Sequence, residues 1–189
     1  MSIPFITAEE AASYIKNGDN VGFSGFTASG TPKVVTVALA KRAKELHEKG
    51  EPFKINLFTG ASTNDHVDGE LARAEAVAIR TPYQSHPDAR KLVNAGKMNY
   101  FDTHLSHVSQ DLRYGFYGDL DVAVIEATEI SPDGDVILGA GLGMSPTIAM
   151  MTFLAIMAIV GDMPRPAPRI TSPSGLISVA SITATSRSP

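Results

Sequence analysis

Residues 21–30 read VGFSGFTASG, an apolar strand signal that runs directly into a loop of small residues. Val21, Gly22 and Phe23 have the composition of a short buried strand. After the loop, apolar residues recur at helical spacing from Val34 to Leu46, and Gly50 ends that pattern. Strand, small-residue loop and helix in this order form the repeating unit of α/β sheets.

The same order returns further along the chain. Residues 53–58, FKINLF, form a second strand signal and run into the polar loop 59–65, TGASTND. More strand signals lie at 76–79 and 120–125, and a helical pattern lies at 87–95. The sequence therefore predicts an α/β fold with an open, mostly parallel sheet and helices on both faces. Such sheets bind ligands at the carboxyl ends of their strands, which is where both loops fall.

Two helix starts are predicted from capping residues. Thr7 and Glu10 have the spacing of a capping box, in which each side chain accepts a hydrogen bond from the other residue's backbone amide. Thr31 is a suitable N-cap for the helix that contains Val34, and Pro32 suits its first position.

Composition excludes several classes of function. The chain has 189 residues, 43% of them hydrophobic, and a net charge of −4, so it has the composition of a globular domain without the basic excess of a nucleic-acid-binding protein. It has no cysteine, which excludes disulfides, thiolate metal sites and cysteine nucleophiles. With no signal peptide evident at the amino end, a cytoplasmic location is expected.

The longest apolar run, residues 148–160, is shorter than the roughly 20 residues of a membrane span. It predicts a buried helix leading into a strand, and no membrane role. The sequence after Asp162 contains no acidic residue and is rich in Pro, Ser and Thr. We therefore predict a domain at residues 1–151 and a divergent tail at 152–189, extended or disordered.

The loop from Ser24 to Gly30 has two interpretations. Its backbone amides could hold a phosphate or carboxylate group beside the helix that follows. It lacks the Gly-Lys-Ser/Thr ending of a Walker A loop and the three glycines of a dinucleotide fingerprint, so a tight strand-to-helix connection is the alternative.

Three other positions also have alternatives. Ser62 could offer its hydroxyl or amide to a substrate oxygen, or it could cap the next turn; the frame of a nucleophile elbow is absent. Glu126 follows a buried strand, so it could act as a general base or nucleophile, or be hydrogen-bonded to backbone amides. His104 and His107 share one helical face, with Asp102 or Asp111 as a nominal third metal ligand, but no metal motif is matched.

Several strings, in order, resemble the acetyl-CoA hydrolase/transferase family, which includes succinyl-CoA:acetate and propionyl-CoA:succinate CoA-transferases. They are colinear from about residue 6 to 151 and include GFSGFT (22–27), TPK (31–33), LFTGAST (57–63), DGELA (68–72), PYQ (82–84), NAG (94–96), YFDTHLS (100–106), VIEAT (124–128) and SPT (145–147). From about Thr152 the sequence departs from the family pattern, as a truncated or frame-shifted product would.

The resemblance implies two similar α/β halves and a reaction that moves coenzyme A between carboxylic acids. A glutamate attacks the acyl-CoA thioester, giving an acyl-glutamyl anhydride and then a glutamyl-CoA thioester, from which a second acid collects CoA; interception by water gives hydrolysis. That glutamate and most of the CoA surface belong to the second half. The resemblance thus implies no catalytic residue in this chain, no permanently bound cofactor and no metal, with coenzyme A as a substrate.

The site residues that carry over are few. Ser62 matches a family serine that lines the acyl pocket, and Gly25, Phe26 and Thr27 match the loop beside it. Glu126 matches a family position that is not the nucleophile. We expect the N-terminal domain of an enzyme acting on acetyl-, propionyl- or succinyl-CoA and short carboxylic acids, as a homo-oligomer or with a complementing subunit. The alternative is an inactive binding or subunit-interaction module.

Overall fold

The computed structural model describes residues 5–131, 135–159, 169–170 and 177–180. Its helices are α1 (Ala8–Tyr14), α2 (Val34–Glu48), α3 (Glu70–Arg73), α4 (Pro87–Asn94), α5 (Leu105–Arg113) and α6 (Ser145–Met151), with a π-helical turn at Asp65–Gly69. Its strands are β1 (Asn20–Phe23), β2 (Ile55–Ala61), β3 (Val77–Tyr83), β4 (Asn99–Tyr100), β5 (Leu120–Ile130), β6 (Val136–Leu138), β7 (Thr152–Ile159), β8 (Arg169–Ile170) and β9 (Ile177–Ala180).

All the described strands belong to one sheet. The order β4-β3-β2-β1-β5-β7-β9 is parallel throughout, while β6 and β8 are antiparallel additions. Strand β5 lies at the centre: β7 pairs with one of its edges, and β1 and then β6 share the other. The predicted mostly parallel α/β sheet is confirmed.

Helices cover both faces of the sheet, as predicted. Residues on β5 alternate between two cores: Val122 and Val124 pack with α1, α2 and α3, while Ala123 and Ile125 pack with α5 and α6. This alternation is the two-residue period of a strand buried on both faces. The parallel sheet is thus enclosed between two helical layers.

One of the two predicted helix starts is confirmed and the other is wrong. Thr7 and Glu10 form a complete capping box, with N···O distances of 2.8 and 3.1 Å. Thr31 does not cap α2, which begins at Val34 with Lys33 as its N-cap. The Thr31 side chain is fully buried and its methyl group packs against Gly25.

Residues 148–159 of the apolar run form the end of α6 and then β7, in line with the predicted helix leading into a strand. The predicted domain boundary at residue 151 stays a prediction, although β7 begins at Thr152 and pairs with β5 along its length. Much of the predicted tail lies outside the described residues. No helix within the described ranges is long and apolar enough to cross a membrane.

Candidate active-site surface

The two small-residue loops meet at the carboxyl ends of β1 and β2. These strands are parallel neighbours, so the loops that follow them leave the sheet side by side. The amide of Thr27 donates to the carbonyl oxygen of Ala61 at 2.8 Å, and Thr27 forms an isolated parallel bridge with Ser62. The structure therefore brings together Ser62 and the loop Gly25, Phe26 and Thr27.

A third loop, residues 139–143 (GAGLG), lies against the first. Gly25 and Gly143 form an isolated parallel bridge. A Cβ placed on Gly141 would lie 2.2 Å from the carbonyl oxygen of Ser29, and one on Gly143 would lie 1.9 Å from that of Gly25. Glycine is needed because the two backbones approach closely. This loop is not among the predicted site residues, although three glycines in five residues are a signal for it.

The glycine-rich loop presents a short exposed surface. Gly25 is buried, whereas residues 26–29 are exposed, and the Phe26 side chain is 54% exposed. An apolar ring beside accessible backbone is a surface that a ligand or another protein segment can cover. The loop therefore places Phe26 and Thr27 where they can contact a substrate.

Ser62 is buried and its donors are already engaged. Its hydroxyl donates to Asp68 Oδ2 at 2.5 Å and accepts from Asn64 Nδ2 at 3.2 Å. Its amide donates to the carbonyl oxygen of Gly60 at 2.9 Å. A hydroxyl has a single proton to donate, so a substrate oxygen would have to replace Asp68 as its acceptor.

Asp68 is held in turn by a buried arginine. Arg80 Nε donates to Asp68 Oδ1 at 2.8 Å, and Arg80 is 1% exposed. The other guanidinium nitrogens donate to the carbonyl oxygens of Thr81 and Tyr83, at 2.5 and 2.8 Å. Buried charges persist when they are paired and hydrogen-bonded, and each of the three guanidinium nitrogens of Arg80 has a partner.

Asn64 extends this network to the glycine-rich loop. Its Nδ2 donates to the carbonyl oxygen of Thr27 at 2.9 Å, and its Oδ1 accepts from the amide of Val67. The resulting polar network runs from Arg80 through Asp68, Ser62 and Asn64 to Thr27. Sequence analysis missed Asn64, Asp68 and Arg80; an arginine in the middle of a strand was the available signal.

Glu126 does not follow a strand, as the sequence predicted, but lies inside β5, which continues to Ile130. It is two residues beyond the partner of Phe23, the last residue of β1, and so lies beside the start of the glycine-rich loop. Its amide donates to Ser24 Oγ at 2.8 Å, and Ser24 Oγ donates to the carbonyl oxygen of Gly30 at 2.7 Å. The residue is 7% exposed, and its Oε2 has no hydrogen-bond partner in the part of the chain that the structure describes. Burial raises the pKa of the Glu126 carboxyl, and the charge of Lys33 opposes that rise.

Residues 3–170 match the N-terminal domain of the acetyl-CoA hydrolase/transferase family. The chain belongs to this family. It is 49% identical over 142 residues to the propanoyl-CoA:succinate CoA transferase of Escherichia coli K12, covering 75% of this chain and 29% of that protein. It is 37% identical over 157 residues to the acetyl-CoA hydrolase of Schizosaccharomyces pombe, covering 80% of this chain and 30% of that protein.

The chain thus spans less than a third of the length of these curated relatives. Its fold is also that of the glutaconate coenzyme A-transferase of Acidaminococcus fermentans, with a TM-score of 0.66 at 16% identity. That superposition covers 92% of this chain and 68% of the other. The resemblance drawn from the sequence is confirmed for both the family and the fold.

The histidine pair of this acetyl-CoA hydrolase/transferase domain lies at the start of α5. His104 is the N-cap residue of α5, and its ring centroid is 5.6 Å from that of His107. Asp111, a nominal third ligand, accepts a hydrogen bond from the Tyr117 hydroxyl at 3.1 Å. In the part of the chain that the structure describes, no three His, Asp or Glu residues are grouped so as to hold a metal ion.

Proposed function

We propose that this domain forms one wall of the active site of an enzyme that transfers CoA from short-chain acyl-CoA to carboxylic acids. Acetyl, propionyl and succinyl are the proposed acyl groups. The observation that supports this is the fixed contact between Ser62 and the exposed loop of Gly25, Phe26 and Thr27 at the carboxyl end of a parallel sheet.

In this proposal Phe26 and Thr27 contact the acyl group or the thioester, and Gly25 allows the close backbone approach that the loop needs. Ser62 fixes the loop through Asn64 and contacts substrate when its bond to Asp68 is exchanged. In this proposal the nucleophilic glutamate comes from a segment equivalent to the part of the longer relatives that this chain does not match. Hydrolysis is the outcome when water replaces the acid acceptor.

A chimera tests the proposal. This chain, up to Met151, replaces the corresponding N-terminal segment of the Escherichia coli relative, and release of CoA from propionyl-CoA is measured with and without succinate. We expect succinate-dependent transfer by the chimera and none by this chain alone. A matched pair of variants, Ser62→Ala and the exposed Ser13→Ala, should separate site effects from general ones. A folded but inactive chimera, or equal activity in both variants, would contradict the proposal.

A second candidate is an inactive interaction module, which one feature favours. Phe101, Tyr114 and Phe116 are 60–70% exposed, beside a cleft of about 460 Å³ that Phe101, Phe116 and Tyr117 help to line. Exposed aromatic clusters are typical of surfaces that associate. Sedimentation of the chain and of Phe116→Ser tests it: self-association that this substitution abolishes, together with an inactive chimera, would favour this second function. A cytoplasmic location stays a prediction.

A further inference from the structure

Within the described ranges, two buried oxygen atoms beside the glycine-rich loop have no hydrogen-bond partner. They are Thr31 Oγ1 and Glu126 Oε2, in residues that are 0% and 7% exposed. Buried polar atoms in folded proteins are nearly always paired, because leaving one unpaired costs free energy. Two such atoms in one region indicate a polar group that is supplied from outside.

The two oxygens border the same short loop. The Ser24 hydroxyl accepts from the amide of Glu126 at 2.8 Å and donates to the carbonyl oxygen of Gly30 at 2.7 Å. Thr31 directly follows Gly30, and its side chain packs against Gly25. One serine hydroxyl thus ties together the backbones that carry Glu126 and Thr31.

The electrostatic surroundings favour an anion. Glu126 lies on the α2 face of the sheet, because it shares the strand parity of Val122 and Val124, which pack in that core. Helix α2 begins next to Thr31 with no side-chain cap and no acidic residue in its first turn. The partial positive charge at its amino end is therefore not neutralised there. The ammonium group of Lys33 also acts on Glu126.

The chemistry of these groups defines the ligand. A buried carboxyl that keeps its proton can donate one hydrogen bond, and the Thr31 hydroxyl can donate another. An acid and a carboxylate can share a single proton in a strong hydrogen bond.

We propose that Thr31, Glu126 and the amino end of α2, with Lys33, bind the carboxylate group of the acid substrate. This rests on the proposed function, since it names the residues that hold the acid of a CoA transfer. Glu126 is then a binding residue of the acceptor and differs from the nucleophilic glutamate that the family resemblance places elsewhere.

The full chain, labelled with nitrogen-15, is titrated with acetate while the amide signals of Gly30, Thr31 and Lys33 are followed. Glu126→Met removes the carboxyl and keeps the length of the side chain, and Thr31→Val keeps the shape without the hydroxyl. We expect each variant to lose at least about tenfold in acetate affinity, the effect of one hydrogen bond to a charged group. Because unpaired polar atoms are removed, the thermal midpoints should stay equal or rise.

The control is Glu45→Met, which removes an exposed carboxyl of α2 paired with Lys41 at 3.9 Å. Its acetate affinity should match that of the unaltered chain. Unchanged affinity in both Glu126→Met and Thr31→Val would overturn the proposal, as would a lowered midpoint in both. Inorganic phosphate is titrated on the same signals, because the phosphates of CoA are the other oxyanions that this site could bind. Tighter binding of phosphate than of acetate would overturn the carboxylate assignment.

The chimera separates this inference from the proposed function. If it transfers CoA and Glu126→Met leaves the KM for succinate unchanged, the inference fails and the function stands. If acetate binding depends on Glu126 while the chimera is folded and inactive, the carboxylate site stands and the function fails.

Discussion

Replacement of Arg80 by methionine tests whether the buried polar network holds this domain together. Arg80 is 1% exposed and donates to Asp68 Oδ1 and to two backbone carbonyl oxygens. Without Arg80, the buried carboxylate of Asp68 loses its ion pair and keeps the hydrogen bond from the Ser62 hydroxyl. Breaking a buried pair by removing one partner costs about 3–5 kcal/mol. The free energy of unfolding, measured by circular dichroism in urea, should fall by about that amount.

A matched control comes from Arg73, which makes three ion pairs, with Asp65, Glu70 and Asp88, but is 37% exposed at its side chain. Solvent screens such pairs, so Arg73→Met should cost no more than about 1 kcal/mol. Burial, and not the number of ion pairs, is then the decisive quantity.

The double variant Arg80→Met, Asp68→Asn completes the cycle. Removing the second charge should restore part of the stability, because the uncompensated carboxylate is the main cost. A loss below about 1 kcal/mol for Arg80→Met, or a double variant as unstable as the sum of the two single variants, would refute this reasoning.

Three further predictions concern other parts of the domain. Gly141→Ala should lower the free energy of unfolding by about 2 kcal/mol or more, because its Cβ would lie 2.2 Å from a backbone oxygen; Gly50→Ala, with no atom within 4 Å, should cost only the roughly 1 kcal/mol of its left-handed backbone. Thr7→Ala should cost about 1 kcal/mol in the same urea assay through loss of the capping box with Glu10. Because the folded pKa of Glu126 is raised, the folded state binds more protons, so stability should decline as pH rises from the unfolded pKa of about 4.3 through the folded pKa; Glu126→Gln should remove that decline, and identical pH profiles would contradict it.

Much of the fold followed from local patterns in the sequence. Apolar runs placed β1, β2, β3 and β5, and the spacing of Thr7 and Glu10 placed the start of α1. These signals are local, because strand burial and helix capping depend on residues close in the chain. The position of both loops at the carboxyl ends of parallel strands followed from the alternation of strands and helices.

Local patterns failed where a side chain had a choice of partners. Thr31 is a residue type that favours the N-cap position, yet its side chain packs against Gly25 and α2 begins at Val34. The sequence left two roles possible for Ser62, substrate contact or capping of the next turn. In the structure its hydroxyl donates to Asp68, six residues later in the chain. An arginine in the middle of a strand was the signal at Arg80, but its importance depends on being buried beside that carboxylate.

The sequence by itself determined the α/β class, the family and the two loops, because these depend on residue order and short spacings. The tertiary structure decided what surrounds Glu126. The backbone amide of Glu126 donates a hydrogen bond to the hydroxyl of Ser24, which lies 102 residues earlier in the chain. The two residues meet because β1 and β5 pair in the sheet. The burial of Glu126 depends on that long-range pairing, which no local pattern encodes.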